Sequence, residues 1–248
     1  MTTLYKSLLG ILSFLVISAP SPAQEAGNPD GDRRILVFTK TNGHRHQSIE
    51  KGVATLRELS KEEMFSLDHT EDSLQFNPDT LSLYELVIFL STTGDVLGPA
   101  QEASFRQFIE GGGHFMGIHA ATDTEYDWPW YGELVGAYFE SHPELQQATL
   151  QVVDPTHTST SHMPERWSHF DEWYNFMDIH PGINVLINLD ESTYEGGSNG
   201  AYHPIAWYHS LGGSRVFYTG IGHTEASFDE PIFRRHLLGG IRYCLGIQ

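Results

Sequence analysis

From residue 34 onward, short unbroken apolar runs alternate with segments whose apolar residues recur every three or four positions. Ile35-Leu36-Val37-Phe38 and Leu86-Val87-Ile88-Phe89-Leu90 have no polar member. A strand covered on both faces has no polar side to alternate with, so both runs read as strands of a parallel sheet. Met64-Phe65-Ser66-Leu67 and Phe115-Met116-Gly117-Ile118 read as two more. Ile49, Val53, Leu56 and Leu59 fall at helical spacing between the first and second strands. Gly98-Pro99 opens another helix that runs through Glu110, with proline in the first turn, where its missing N–H costs nothing. Phe105, Phe108 and Ile109 supply its apolar face. Gly111-Gly112-Gly113 follows that helix and precedes a strand, so it reads as a helix cap. A phosphate-cradling loop has the opposite order, strand before and helix after.

After residue 140 the texture changes. Leu150-Gln151-Val152-Val153, Val185-Leu186-Ile187, Ile205-Ala206-Trp207-Tyr208 and Val216-Phe217-Tyr218 are strand-like with no strong helix between them. Phe233 to Leu245 reads as a closing helix. The pattern predicts an α/β domain over residues 34–248, with a mainly parallel sheet and an added β-rich region in the second half.

The N-terminus reads differently. Lys6 precedes a short apolar stretch from Leu8 to Ala19, and Ser21-Pro22-Ala23 follows with small residues where a signal peptidase needs them. This is the layout of a signal peptide over residues 1–23, cleaved after Ala23. The apolar stretch is too short for a membrane span, so no stable membrane insertion is expected after cleavage. Gln24 to Arg33 is polar and reads as a flexible leader. The expected location is secreted or periplasmic. With Cys244 as the one cysteine, no internal disulfide can form, and stability must come from the core.

Charge narrows the partners. The chain has 14 Lys and Arg against 32 Asp and Glu, a formal net charge of −18. That argues against nucleic acid, whose phosphates need clustered cations, and against anionic membranes. Oligomeric state is not legible. Histidine, with 14 residues, equals Lys and Arg combined. Its near-neutral pKa suits it to proton transfer and metal binding.

In open α/β sheets, ligands sit beyond the carboxyl ends of strands at the switch in strand order. In the usual order the first and fourth strands flank that switch. This predicts that His44 or His46, after the first strand, approaches His119 and Asp123, after the fourth. Gly117-Ile118-His119-Ala120-Ala121 has the form of a nucleophile elbow with histidine at the nucleophile's place. Gly220-Ile221-Gly222-His223 directly follows another strand. His119, Asp123, His46 and His223 are therefore the catalytic candidates, with Asp123 orienting His119.

A second group is aromatic and polar. Trp130, Tyr174 and Trp207 are candidates to stack on sugar rings, and His142, Asp171, Glu172 and His44 to bind hydroxyls. If Asp171-Glu172-Trp173-Tyr174 were a strand, Asp171 and Trp173 would face one way and Glu172 and Tyr174 the other, leaving one carboxylate to a site and its neighbour to solvent. An aromatic core is the competing reading for the Trp residues. His69, His162, His169, His180, His209 and His236 lack such context and read as surface or packing histidines, with His114 and His157 intermediate. No compact ligand motif such as HExxH or CxxC occurs. A metal site assembled from distant loops, drawing on His46, His119, His142 and His223, would suit Zn²⁺, Mn²⁺ or Fe²⁺.

Several separated segments resemble one family. They are Thr39-Lys40-Thr41-x-Gly43-x-Arg45-His46-x-Ser48-Ile49, Gly111-Gly112-Gly113-x-Phe115-x-Gly117-Ile118-His119-Ala120-Ala121-Thr122-Asp123, Ser141-His142-Pro143, Asp171-Glu172-Trp173-Tyr174, Leu189-Asp190-Glu191, Pro204-Ile205-Ala206-Trp207, Arg215-Val216-Phe217-Tyr218-Thr219-Gly220-x-Gly222-His223-Thr224 and His236-Leu237-Leu238-Gly239-Gly240-Ile241. In this order they resemble the ThuA-like (trehalose-utilisation) family over residues 34–246. The resemblance implies a flavodoxin-like, class I glutamine-amidotransferase-like three-layer sandwich. It also implies a role in carbohydrate metabolism on trehalose-like disaccharides or their 3-keto derivatives. His44 stands where the family pattern carries an aromatic residue.

The leading expectation is an exported carbohydrate-processing enzyme, an isomerase, lyase or hydrolase using His and carboxylate acid–base chemistry. Cys244 lies in the closing helix, far from the elbow in sequence, so glutamine amidotransfer has no nucleophile. Two rivals stand beside it: a non-catalytic carbohydrate-binding or accessory protein, and a metal-dependent hydrolase of another substrate.

Overall fold

The computed structural model describes residues 33–63 and 65–247. The expected signal peptide over residues 1–23 and all of the expected leader except Arg33 lie outside the described residues. The strands are β1 (Arg34–Phe38), β2 (Ser66–Thr70), β3 (Leu86–Leu90), β4 (His114–Ile118), β5 (Tyr138–Ser141), β6 (Gln146–Val152), β7 (Arg166–Asp171), β8 (Asn175–Met177), β9 (Asn184–Asp190), β10 (Pro204–Leu211) and β11 (Ser214–Thr219). The helices are α1 (Ile49–Glu63), α2 (Pro78–Leu81), α3 (Pro99–Glu110), α4 (Pro129–Val135) and α5 (Pro231–Leu245).

The main sheet has the order β2-β1-β3-β4-β11-β10-β9-β6-β7. Its first half, from β2 to β11, is parallel throughout. Its second half, from β11 to β7, is antiparallel throughout. β5 and β8 form a separate antiparallel pair.

The unbroken apolar runs have a direct cause. Alternate residues of β3 face opposite layers. Phe89 stacks on Phe105 of α3, at 5.4 Å, and on Tyr131 of α4, at 5.7 Å. Its neighbour Leu90 meets α1 on the other side, close enough that a Cβ at Gly52 would lie 2.9 Å from it. Both faces are covered, and every residue of β3 is buried. Gly98 is the N-cap of α3 with Pro99 in its first turn, and Gly111 is its C-cap.

Two expectations change, and one element is added. β2 starts at Ser66 rather than at residue 64, because its register is set by β1, with Arg34 opposite Ser66 and Phe38 opposite Thr70. It is an edge strand, so it tolerates Asp68 and His69, which hid it from an apolar pattern. The aromatic run at 127–131 turns into α4, capped by Gly136 in the left-handed conformation. The first and fourth strands are not adjacent at the switch, because β3 lies between β1 and β4. No helix among the described residues is long and apolar enough to cross a membrane.

Candidate active site

Four segments leave the carboxyl ends of their strands and converge. Residues 39–48 follow β1 and are laid across the end of β3, where the amides of Asn42 and Gly43 donate to the carbonyl of Thr93. That crossing carries His46 over the intervening strand to His119, with ring centroids 4.7 Å apart. Ser48 anchors the segment from below by donating to the carbonyl of Gly222, at 2.9 Å.

His119 occupies the turn immediately after β4. Its φ is +50°, a left-handed conformation that costs a residue with a Cβ free energy and is held by its surroundings. Its backbone carbonyl accepts from the Tyr218 hydroxyl at 2.7 Å. The ring is fully buried. Its Nδ1 lies 2.9 Å from the carbonyl oxygen of Gly220. A carbonyl only accepts, so Nδ1 carries the proton of that bond and Nε2 is turned into the site.

There His119 Nε2 is 3.2 Å from His223 Nδ1 and 3.4 Å from Glu172 Oε2. His223 Nδ1 is 2.9 Å from the same Glu172 oxygen. The second oxygen, Oε1, is 3.1 Å from His142 Nδ1. Burial pushes the Glu172 carboxyl up, but His119 and His223 outweigh it by hydrogen bonding and charge, and its pKa falls below the usual range. His46 is pushed down to about 2, first by burial and then by the neighbouring histidines, so it is neutral at physiological pH.

Tyr174 closes one side, its ring centroid 4.5 Å from that of His119 and 4.3 Å from that of Phe139. His44 lies at the mouth, 4.9 Å from His46 between ring centroids. Asp123 is near the mouth as well. Burial raises its pKa, against the 2.8 Å hydrogen bond it accepts from Tyr126.

The structure thus brings His44, His46, His119, Asp123, His142, Glu172, Tyr174 and His223 to one place, with some roles redistributed. Asp123 is bonded to Tyr126, and the hydrogen-bonding partner of His119 Nδ1 is the Gly220 carbonyl. Asp171 ends β7 fully buried and does not open into the site. It accepts from the amides of Gly222 and Thr224 and from the Ser227 hydroxyl, holding the backbone on both sides of His223. Burial raises its pKa, and the His169 hydrogen bond and nearby positive charge more than offset this. Because β7 stops at Asp171, residues 172–174 do not alternate, and Glu172 is buried rather than turned to solvent.

Trp207 is fully buried, stacked on Tyr218 at 4.2 Å and bonded through Nε1 to the carbonyl of Val135. Trp130 belongs to a separate stack, 4.8 Å from Trp128, with the Arg106 guanidinium 5.7 Å from its ring centre. Neither offers a ring face to the histidine cluster. Beside Tyr174, aromatic surface near the cluster comes from Phe139, which lies 5.9 Å from His142 between ring centroids and which composition alone did not single out. Phe139 lies in β5, where pairing with β8 decides its place, and the Tyr126 hydroxyl donates to its carbonyl at 2.9 Å.

Chemically, one nitrogen from each of three imidazoles and one carboxylate oxygen, from His46, His119, His223 and Glu172, all lie within 4.8 Å of one another. Such a group can move protons or hold a cation. Cys244 is buried in α5 beneath the sheet, its thiol pushed up by burial and 3.4 Å from the carbonyl of Phe115.

A parallel order β2-β1-β3-β4-β11, extended by antiparallel strands and with a strained elbow at the end of β4, defines a flavodoxin-like α/β protein whose elbow residue is histidine. The ThuA family, described as trehalose utilisation, matches residues 34–244, and the chain belongs to it. Among solved structures, a ThuA-like protein from Bacteroides uniformis superposes with a TM-score of 0.75 at 22% identity, over 91% of this chain and 95% of that one. A ThuA-like protein from Parabacteroides merdae gives 0.73 at 21%, over 88% and 91%. A cytoplasmic protein from Salmonella typhimurium gives 0.61 at 8%, over 85% and 98%. These likenesses concern the fold. A search of curated proteins finds no match.

Proposed function

We propose that this chain is a carbohydrate-processing enzyme acting on trehalose-like disaccharides or their 3-keto derivatives by acid–base chemistry at the His119 cluster. The observation that carries this reading is the triangle of His119 Nε2, His223 Nδ1 and Glu172 Oε2, with edges of 2.9–3.4 Å. An ionised carboxylate beside two imidazoles supplies a proton acceptor and a relay. That pairing suits removal of a proton next to a sugar ketone, after which isomerisation or elimination follows. Phe139 and Tyr126 offer ring surface near the mouth, and Asp123, His44 and His142 offer groups for hydroxyls. The family's association with trehalose utilisation supports the substrate class. The strongly acidic chain favours a neutral ligand over an anionic one.

Glutamine amidotransfer does not fit this reading. The elbow holds His119, and the one thiol is buried elsewhere. The N-terminal sequence supports export, and N-terminal sequencing of secreted protein is expected to begin at Gln24.

The test is a screen of disaccharides and their 3-keto forms, with and without added divalent metal, on native protein and on His119→Ala. The expected result is turnover of at least one sugar that the variant lacks. Full turnover by the variant on every accepted sugar overturns the site. Saturable binding without turnover, surviving loss of His119, selects the binding-protein alternative.

A further inference from the structure

We propose that His46, His119, His223 and Glu172 are the ligands of a divalent transition-metal ion of the Zn²⁺, Mn²⁺ or Fe²⁺ class. The assignment rests on geometry and not on the carbohydrate reading.

Spacing is the first argument. With bonds of about 2.0–2.2 Å, neighbouring ligand atoms are roughly 3.3–3.6 Å apart in a tetrahedron and roughly 2.8–3.1 Å apart in an octahedron. The three measured edges, 2.9, 3.2 and 3.4 Å, fall across that range. The fourth group, His46, has its ligand nitrogen within 4.8 Å of the others.

Support around the ligands is the second. A metal-bound histidine usually donates its other ring N–H to a carbonyl or carboxylate, which fixes its tautomer. His119 does this with the Gly220 carbonyl at 2.9 Å. Glu172 presents Oε2 to the cluster while Oε1 is engaged by His142. The amides flanking His223 are tied to the buried Asp171.

The third is an unmet need. His46 is only 3% exposed, and its Nδ1 has no hydrogen-bond partner among the described residues. A buried ring nitrogen left in this state costs free energy, which an ion bound at that nitrogen would offset.

The donor set then selects the ion. Three imidazoles with one carboxylate suit Zn²⁺, Mn²⁺ or Fe²⁺, whereas Ca²⁺ and Mg²⁺ prefer all-oxygen shells. The ion would lie at the strand-end mouth, within reach of a ligand entering past His44 and His142. His142, expected from the sequence as a ligand, is assigned instead to the outer shell, holding the carboxylate.

The experiment uses untagged full-length protein, stripped with chelator and titrated by calorimetry with Zn²⁺ and Mn²⁺, and with Co²⁺ for its visible spectrum. One equivalent per chain, a raised melting temperature and Co²⁺ d–d bands are expected. His119→Ala, His223→Ala and Glu172→Gln are each expected to weaken binding at least 100-fold, and His180→Gln to leave it unchanged. Circular dichroism of each metal-free variant checks that it is folded. No stoichiometric binding overturns the site, as does binding that folded His119→Ala and Glu172→Gln both retain. Stoichiometric metal with no sugar turnover keeps this site and removes the carbohydrate reading. Full turnover by metal-free protein that binds no stoichiometric metal does the reverse.

Discussion

The Nδ1 of His119 lies 2.9 Å from the carbonyl oxygen of Gly220, so a bond between the ends of β4 and β11 decides which nitrogen of the elbow histidine faces the site. β4 and β11 are adjacent parallel strands, and their carboxyl ends open at the same level. The relationship explains how a residue in a nucleophile's position becomes a base or a ligand. It also locates the consequences of disturbing it.

Removing the elbow ring is expected to abolish function more than fold. His119→Ala should lower turnover by about 10²–10⁴-fold, the usual contribution of a positioned acid–base group. Steady-state kinetics on the best sugar from the screen checks this, with urea unfolding to show that the variant remains folded.

Asp171 acts at one remove. It accepts from three backbone amides, those of Glu172, Gly222 and Thr224, and from one hydroxyl inside the core. Asp171→Asn keeps the shape but gives up an acceptor oxygen, and it is expected to cost about 1–3 kcal/mol. Because the loop it holds carries His223, kcat should fall with the stability. Denaturant midpoints and kcat measured together test the linkage.

Gly239 is a packing requirement. A Cβ there would lie 2.4 Å from Ser159 Cα and 2.5 Å from the carbonyl of Thr158, where backbone meets backbone. Gly239→Ala is expected to destabilise by about 1–3 kcal/mol through overpacking. Turnover per folded molecule should stay native, which separates this position from the site.

Two buried groups give stability opposite dependences on pH. Burial raises Glu125 from 4.5 to about 7, while two backbone amides and the neighbouring Asp95 modify it. A raised folded pKa means its contribution is present below about pH 4.5 and is lost as pH rises through 7. Burial lowers His236 from 6.5 to about 3. Its folded state therefore resists protonation, and stability is lost as pH falls from 6.5 toward 3. Glu125→Gln removes the first slope. The stability of that variant is expected to rise more steeply between pH 4.5 and 7 than that of the native protein, measured as urea midpoints. Parallel profiles would assign no such role to Glu125.

Much of the first half was legible because its signals are local. An unbroken five-residue run such as Leu86 to Leu90 reads as a strand covered on both sides, and Gly98-Pro99 and Gly111 punctuate α3 within a few residues. The histidines after β1, β4 and β11 were marked by standing just past apolar runs. Glu172 and Phe139 lacked such a mark. Each owes its place to where a strand stops or pairs, and β7 stops one residue before Glu172. Trp130 and Trp207 show the reverse, since composition made them sugar platforms and packing against Trp128 and Tyr218 placed them elsewhere.

The order of strand-like and helical segments, the elbow with His119 and the absence of a usable thiol follow from the sequence alone, because periodicity and residue chemistry are short-range properties. The meeting of His46 with His119 was decided by tertiary structure. Their strands are not neighbours, and hydrogen bonds between the first loop and the residues after β3, those of Asn42 and Gly43 to Thr93 and of Thr93 to the His44 carbonyl among them, carry it over the end of that strand. The choice between Asp171 and Glu172 was decided in the same way. Adjacent carboxylates are equivalent in sequence, and the end of a strand turned one into the core and the other toward three histidines.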